Sequence, residues 1–139
     1  MITKSAKETF DLGKKIGSGL KGGEILALIG GLGAGKTTFI QGLASGIGIK
    51  NKIVSPTFIL MRSYDKGVRQ LKLRHLDLYR LEGDLEKQVR DLGLFDIWQD
   101  SKNIVAIEWA EKIEDLLPKK TMKITFETLP DGNSRKIEY

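Results

Sequence analysis

The chain has 139 residues, a net charge of +5 and 40% hydrophobic residues. This length suits one compact domain with its own core, so we expect residues 1–139 to form a single domain. The absence of cysteine excludes disulfide partners, cysteine-rich zinc sites and thiol catalysis. The longest apolar run, residues 25–29, is too short to span a membrane, and no signal peptide is recognisable, so we expect a cytoplasmic protein.

Charge is distributed unevenly along the chain. Residues 50–74 carry seven basic and one acidic side chain, whereas residues 75–118 carry five basic and eleven acidic ones. A uniformly basic nucleic-acid-binding protein would not show this division. We expect instead a polarised surface that can dock onto a partner of mixed charge.

The first third of the chain predicts a helix, a buried strand and a second helix. Ser5 and Glu8 have the spacing of a capping box, which predicts that the first helix begins here. Residues 24–29 are mostly apolar and bounded by glycines, which predicts a buried strand. Residues 37 to about 46 predict a helix whose buried stripe is Phe39, Ile40, Leu43 and Ala44.

The rest of the chain predicts strands and short helices. Segments 58–64 and 68–73 flank an Asp-Lys-Gly loop, which predicts a β-hairpin. The remaining predicted elements are helices over 84–92, 94–99 and 111–117 and strands over 104–107, 122–129 and 135–139. This order, with mixed strands and short helices before a terminal antiparallel hairpin, predicts one α/β domain.

Glycine is concentrated where a phosphate-binding loop is predicted. Twelve of the sixteen glycines lie within the first 48 residues. The pattern G-x-x-x-x-G-K-[ST] is matched in full by Gly30, Gly31, Leu32, Gly33, Ala34, Gly35, Lys36 and Thr37. In such a loop, the four glycines let backbone N–H groups wrap around phosphate oxygens, and the following helix directs its N-terminus at the anion. Lys36 then reaches the β- and γ-phosphates, and Thr37 offers its hydroxyl to Mg²⁺. The alternative is a glycine turn that merely joins strand to helix.

A nucleotide site of this kind needs an acidic residue beyond the loop to hold the metal. Glu108 follows four apolar residues at the end of a predicted strand, and we predict that it is this carboxylate rather than a solvated acid. Residues 71–77 alternate charged with apolar side chains, as an exposed strand does, and end at Asp77. Asp77 is a candidate to orient the attacking water or a metal-bound water, and its alternative is a surface charge.

Other side chains have both a functional and a structural interpretation. Ser55, Pro56 and Thr57 form either a plain turn or a segment that senses the γ-phosphate, which many phosphate-loop NTPases place here. The others are His75, Arg80, Trp109 and Arg135. The histidine is structural or functional, the tryptophan shields the site or belongs to the core, and the arginines contact phosphate or lie in solvent.

Nearly the whole chain resembles the bacterial TsaE (YjeE) family. The resemblance is carried by the loop at 30–38, Ser-Pro-Thr at 55–57, His-Leu-Asp-Leu-Tyr-Arg-Leu at 75–81 and Glu-Trp at 108–109. The loop occurs in many families, whereas its combination with the other three segments is much more specific. The resemblance implies a P-loop NTPase-like α/β domain, with a central mixed sheet flanked by helices and an antiparallel C-terminal hairpin. It also implies a small ATPase that takes part in making threonylcarbamoyladenosine, the tRNA modification beside the anticodon.

The resemblance also implies a site and partners. Residues 33–38, including Thr38, bind ATP, and Thr37 with Glu108 holds Mg²⁺. The Ser55 segment and Asp77 act as switch-like and catalytic elements, and Thr9 approaches the base. The implied partners are the TsaD- and TsaB-like subunits of the tRNA threonylcarbamoyltransferase, which ATP hydrolysis resets, with tRNA contacted indirectly or weakly. Gly31 stands where the family usually has Asp, so no acidic side chain acts there.

Two other functions compete with ATP hydrolysis. A small-molecule kinase usually carries an arginine-bearing lid over the phosphates, and the sequence shows no arginine-rich helix pair. An RNA-binding module would use the basic segment 50–74, whose stacking residues are limited to Phe58 and Tyr64. The absence of an N-K-x-D motif, which reads guanine, favours ATP over GTP.

Overall fold

A computed structural model of the chain describes residues 1–56 and 60–139. Its strands are Ile2–Thr3 (β1), Ile25–Gly30 (β2), Met61–Tyr64 (β3), Lys72–Asp77 (β4), Asn103–Glu108 (β5), Met122–Thr128 (β6) and Arg135–Glu138 (β7). Its α-helices are Ala6–Ser18 (α1), Lys36–Ile47 (α2), Leu85–Asp91 (α3) and Leu94–Ile97 (α4), and its 3₁₀ segments are Val68–Gln70 and Ala110–Leu116. These elements confirm the predicted α/β class.

The described strands form one sheet in the order β1-β7-β6-β2-β5-β4-β3. The four inner strands β6, β2, β5 and β4 are parallel to one another. At one edge β3 pairs antiparallel with β4, and at the other edge β7 pairs antiparallel with both β6 and β1. The mixed sheet and the C-terminal hairpin are therefore confirmed. The parallel centre brings the carboxyl ends of several strands together, and there Asp77 on β4 stands in register with Glu108 on β5.

The helices α1 and α2 pack so closely that only glycine fits at their contact. A Cβ at Gly42 would lie 1.9 Å from the carbonyl oxygen of Phe10, and a Cβ at Gly13 would lie 2.1 Å from that of Phe39. Backbone thus lies directly against backbone at this interface. The contact holds α2, which follows the phosphate loop, in a fixed position through α1.

Apolar side chains cover both faces of the sheet. One cluster lies between the sheet and the helices α1 and α2, and a second lies against α3, α4 and the segment Ala110–Leu116. The predicted stripe of α2 is buried, at 1% exposure or less for each side chain. Burial on both faces explains why β2 is continuously apolar rather than alternating. No helix in the described residues is long and apolar enough to cross a membrane.

The predicted helix starts are confirmed where a capping side chain marks them. Ser5 Oγ accepts a hydrogen bond of 3.1 Å from the N–H of Glu8 at the start of α1. Asp84 Oδ1 accepts one of 3.1 Å from the N–H of Lys87 at the start of α3. The predicted helix over 111–117 is instead the 3₁₀ segment Ala110–Leu116.

Two predictions about the middle of the chain are wrong. The second hairpin strand does not run over 68–73, because a 3₁₀ turn lies there and β4 begins only at Lys72. The segment ending at Asp77 is not an exposed strand, since β4 lies between β3 and β5 and its last three residues are buried. Its charged residues Lys72 and Arg74 are half-buried, because long basic side chains can bury their stems. Residues 58–59 of the predicted first hairpin strand lie outside the described residues.

Candidate nucleotide-binding site

The phosphate loop joins β2 to α2 at the carboxyl end of the parallel strands. Gly35, the residue before α2, has a φ of 99°, a left-handed conformation that favours glycine. Within the described residues, no side chain caps the N-terminus of α2 and no acidic residue lies in its first turn. The first N–H groups of this helix are therefore available to an anion.

A cleft of about 710 Å³ lies over this loop. The predicted site residues that line it are 32–38 of the loop together with Thr9, Ser55, Asp77 and Glu108. Gly30 ends β2 below the loop and Gly31 follows it, and neither lines the cleft. Pro56 is buried, and Thr57 lies outside the described residues.

Lys36 is a buried cation in this site. Its residue is only 4% exposed, its Nζ donates a hydrogen bond to the carbonyl oxygen of Gly30, and Nζ lies 3.8 Å from the centre of the Trp109 ring. Burial lowers the pKa of Lys36, while the negative charges of Glu108, Glu111 and Asp77 oppose that shift. A charge shielded from water in this way interacts strongly with an added phosphate.

Thr37 and Glu108 are 71 residues apart in the sequence, but their side chains are in hydrogen-bond contact. The hydroxyl of Thr37 lies 3.1 Å from Oε1 and 3.2 Å from Oε2 of Glu108. The carboxylate belongs to a residue that is 3% exposed, and its Oε2 also lies 2.7 Å from Nε2 of the fully buried His75. The residue predicted to hold a metal with Thr37 therefore stands beside it.

The donor set fits Mg²⁺. A threonine hydroxyl and a carboxylate are hard oxygen donors, which Mg²⁺ prefers. In the part of the chain that the structure describes, no three His, Cys, Asp or Glu side chains gather into a metal cage. Mg²⁺ is commonly bound through one or two protein side chains and takes its remaining ligands from phosphate and water.

Asp77 lies at the same edge of the sheet as Glu108. Its Oδ2 accepts a hydrogen bond of 3.1 Å from Ser55 Oγ, and its Oδ1 accepts one of 3.0 Å from the N–H of Tyr79. The alternative of a solvated surface charge is excluded, because Asp77 is only 4% exposed. The structure thus joins the Ser-Pro-Thr segment to the second candidate carboxylate.

The C-terminal hairpin contributes a part of the cleft that sequence reasoning missed. Gly132 and Asn133, at its tip, line the cleft with Arg135. The guanidinium of Arg135 donates to the carbonyl oxygen of Gly33 at 3.0 Å and to that of Gly132 at 3.1 Å. The Pro-Asp-Gly-Asn turn predicts a hairpin, but only the pairing of β6 with β2 brings its tip to the loop.

Of the remaining residues that the sequence suggests for the site, Thr9 and Trp109 lie at the cleft, whereas Arg80 lies on the surface away from it. Thr9 is 2% exposed at the cleft wall, and its Oγ1 lies 2.7 Å from that of Thr3. The Trp109 ring contacts both Lys36 and Tyr79, so it covers the site rather than the apolar core alone. Arg80 is exposed and does not line the cleft.

The loop glycines differ in what the protein's own packing requires. A Cβ at Gly30 would lie 2.6 Å from the carbonyl oxygen of Phe126 on β6. A Cβ at Gly31 would have no described atom within 4 Å. Packing therefore requires glycine at 30 but leaves room for a side chain at 31.

A parallel sheet whose inner strand leads through a G-x-x-x-x-G-K-T loop into a helix, with a buried glutamate at the end of the adjacent strand, defines a P-loop NTPase-like domain. The family model for "Threonylcarbamoyl adenosine biosynthesis protein TsaE" matches residues 3–137. The chain therefore belongs to the TsaE family, and its place is in tRNA threonylcarbamoyladenosine biosynthesis.

Individual relatives agree with this assignment. The tRNA threonylcarbamoyladenosine biosynthesis protein TsaE of Bacillus subtilis (strain 168) is 39% identical over 137 residues, covering 99% of this chain and 82% of the relative. The protein of the same name from Treponema pallidum (strain Nichols) is 39% identical over 132 residues, covering 95% and 93%. The crystal structure of Bacillus subtilis YdiB matches with a TM-score of 0.78 and 34% identity, covering 99% of this chain and 80% of that one. The predicted family and fold are thus confirmed.

Proposed function

We propose that the protein is a Mg²⁺-dependent ATP hydrolase that supports threonylcarbamoyladenosine biosynthesis by acting on the tRNA threonylcarbamoyltransferase. The proposal rests on the proximity of Lys36, Thr37 and Glu108 to one another, beside the N-terminus of α2, which no described side chain caps. Thr37 Oγ1 lies 3.1 Å from the Glu108 carboxylate, and Lys36 is buried with its ammonium against the Gly30 carbonyl of the same loop. Together these groups supply a cation for phosphate and oxygen ligands for a metal.

Substrate binding is assigned to the loop and to the walls of the cleft. The N–H groups of residues 33–38 and the Lys36 ammonium bind the β- and γ-phosphates of ATP. The cleft continues between Thr9 on α1 and Arg135 on the hairpin, and we assign this part to the ribose and base. Both side chains are held in place, Thr9 by Thr3 and Arg135 by the loop itself.

Mg²⁺ would be held by Thr37 and Glu108. When bound, the ion neutralises charge on the β- and γ-phosphate oxygens. The protein's part is to keep a hydroxyl and a carboxylate together, and burial of the carboxylate restricts the positions that it can take.

Hydrolysis requires a water molecule in line with the bond that breaks. Its oxygen bonds to the γ-phosphorus while the bond from that phosphorus to the β–γ bridging oxygen breaks, giving ADP, inorganic phosphate and a proton. We assign the orientation of this water to Asp77, which Ser55 and the N–H of Tyr79 hold at the edge beside Glu108. Lys36 and the loop N–H groups stabilise the charge that develops on the phosphate oxygens.

The test compares phosphate release by Lys36→Ala and Lys87→Ala. Lys87 lies exposed on α3 and pairs with Asp91, so its loss removes a lysine away from the cleft. We expect Lys36→Ala to release phosphate at least about 100-fold more slowly while its circular dichroism is unchanged. We expect Lys87→Ala to behave as the parent protein.

Two outcomes would replace the proposal. Normal phosphate release by folded Lys36→Ala would overturn the assignment of the loop. Transfer of the γ-phosphate to an added small molecule, instead of release to water, would identify a small-molecule kinase.

The proposed partners are the TsaD- and TsaB-like subunits, in the cytoplasm, with tRNA contacted indirectly or weakly. Support comes from the surface, where basic residues of 50–74 and acidic residues of 96–115, among them Asp96, Asp100 and Asp115, are exposed on the same chain. A pull-down from lysate with and without ATP should capture both subunits in a nucleotide-dependent way. Capture of neither subunit would contradict the proposal, and ATP-independent, steeply salt-sensitive capture of RNA would indicate an RNA-binding module.

A further inference from the structure

His75 is a buried polar residue that the proposed mechanism does not use. It is 0% exposed, and its Nε2 lies 2.7 Å from Oε2 of Glu108. Its Nδ1 is buried and has no hydrogen-bond partner among the described residues. The polar contact that the structure shows for this ring is therefore to the carboxylate proposed to hold Mg²⁺.

The sheet itself brings His75 to Glu108. Side chains alternate along a strand, so His75 and Asp77 project from the same face of β4, and Ala106 and Glu108 from the same face of β5. In the parallel register, His75 stands opposite Ala106, whose methyl group is small, and Asp77 stands opposite Glu108. The imidazole can then extend past Ala106 and reach the carboxylate on the neighbouring strand.

Buried polar atoms are rarely left without a partner. Among the described residues, the hydrogen-bond partner of the His75 ring is the Glu108 carboxylate, at Nε2. Since a carboxylate accepts hydrogen bonds, this partner assigns the ring hydrogen to Nε2, which donates to Glu108. The ring thus donates its hydrogen bond to one carboxylate oxygen, Oε2 of Glu108.

We propose that His75 is a positioning residue that holds Oε2 of Glu108 and so fixes the carboxylate against Thr37 for Mg²⁺ binding. The inference rests on the proposed nucleotide site and names a residue that supports its metal ligand. Without the donor, Glu108 can rotate away from Thr37, and the metal loses a preformed pair of ligands. Outer partners of this kind typically change metal affinity by about 10–100-fold.

Three substitutions of His75 separate positioning from simple packing. His75→Gln places an amide donor near the position of Nε2, whereas His75→Asn is too short and His75→Leu has no donor. Leu73→Val is the matched control, since Leu73 is buried on the same face of β4, two residues earlier. Circular dichroism and thermal unfolding first establish which variants fold.

The experiment measures Mn²⁺ binding to the ADP complex by electron paramagnetic resonance, and ADP binding in EDTA by calorimetry. We expect His75→Leu and His75→Asn to weaken Mn²⁺ binding by about tenfold, with ADP affinity in EDTA unchanged within about twofold. His75→Gln should recover most of the Mn²⁺ affinity. Leu73→Val should change neither measurement.

A second arm tests whether His75 acts through Glu108. On a Glu108→Ala background, His75→Asn should cause no further loss of Mn²⁺ affinity, because the group that it positions is gone. Parent-like Mn²⁺ binding by His75→Asn would overturn the inference, as would an equal loss of ADP affinity in EDTA. Failure of the unsubstituted protein to bind ADP at all would instead overturn the proposed function.

Discussion

The phosphate loop and the carboxylate edge of the same site are built in different ways. The loop is continuous in sequence, from residue 30 to 38, and its shape depends on glycine conformations and on the start of α2. The carboxylate edge is assembled from strands β4 and β5, and its geometry depends on the register that pairs Asp77 with Glu108. Apart from Thr37, substitutions in the first region should therefore affect nucleotide binding, and those in the second should affect metal binding and turnover.

The largest effect on turnover is expected from Glu108→Gln. The amide keeps the size of the side chain but removes the negative charge that faces Thr37 and the metal. We expect phosphate release to fall by a factor on the order of 10²–10³. ADP affinity in EDTA, measured by calorimetry, should stay near that of the parent protein, and a matching loss of this affinity would break the division between the regions.

A smaller loss of turnover is expected from Asp77→Asn. The side-chain oxygen of asparagine can still accept a hydrogen bond from Ser55 or from the N–H of Tyr79. The neutral amide orients water less strongly than the carboxylate, so the rate of phosphate release should fall about 100-fold. Steady-state kinetics should show the loss in kcat, with Mn²⁺ affinity of the ADP complex retained. A loss of Mn²⁺ affinity instead would show that Asp77 is a metal ligand rather than a group that orients water.

Gly30→Ala tests whether packing against β6 requires glycine at the start of the phosphate loop. Its Cβ would approach the carbonyl oxygen of Phe126 to 2.6 Å, so the strand pair β2–β6 must shift. We expect unfolding in urea to show a loss of about 1–3 kcal/mol of stability. Gly31→Ala is the control and should unfold like the parent protein, because a Cβ has space there. Equal losses in both variants would show that packing does not distinguish the two glycines.

The smallest effect on function is expected from Arg135→Ala, which removes the hydrogen bond between the C-terminal hairpin and the phosphate loop. The substitution removes the hydrogen bond from the guanidinium to Gly33, worth about 1 kcal/mol. We expect the free loop to become less ordered, so that ADP binding must supply this ordering energy and ADP affinity weakens by about fivefold. Calorimetry in EDTA is the measurement, with Arg90→Ala on exposed α3 as the control. Unchanged affinity would show that the hairpin is not part of the binding site.

The elements that the sequence predicts well are those marked by residues close together in the chain. Ser5 and Asp84 cap helices through residues three positions away, and the apolar run of β5 ends at Glu108 as expected. The prediction of β4 is wrong in its start and its exposure, because the alternating charges of Lys72 and Arg74 are typical of an exposed strand. Its true position between β3 and β5 depends on pairing partners far along the chain.

The site shows the same division. Lys36 and Thr37 are predicted as site residues from the spacing of one motif, because a loop that wraps phosphate needs glycines and a lysine at fixed positions. His75 remains ambiguous in the sequence, since nothing near it shows that its imidazole faces a carboxylate 33 residues away. The hairpin tip at Gly132 and Asn133 has no nucleotide signal at all, and it reaches the loop through the β6–β2 pairing.

The family, the α/β class and the glycine-rich loop can be predicted from the sequence alone, since each is indicated by motifs or patterns of a few residues. The contact of Glu108 with Thr37, the hydrogen bond from Ser55 to Asp77 and the contact of His75 with Glu108 are visible only in the folded chain. Those contacts depend on strand order and register, which are set by packing the whole sheet against its helices rather than by local sequence.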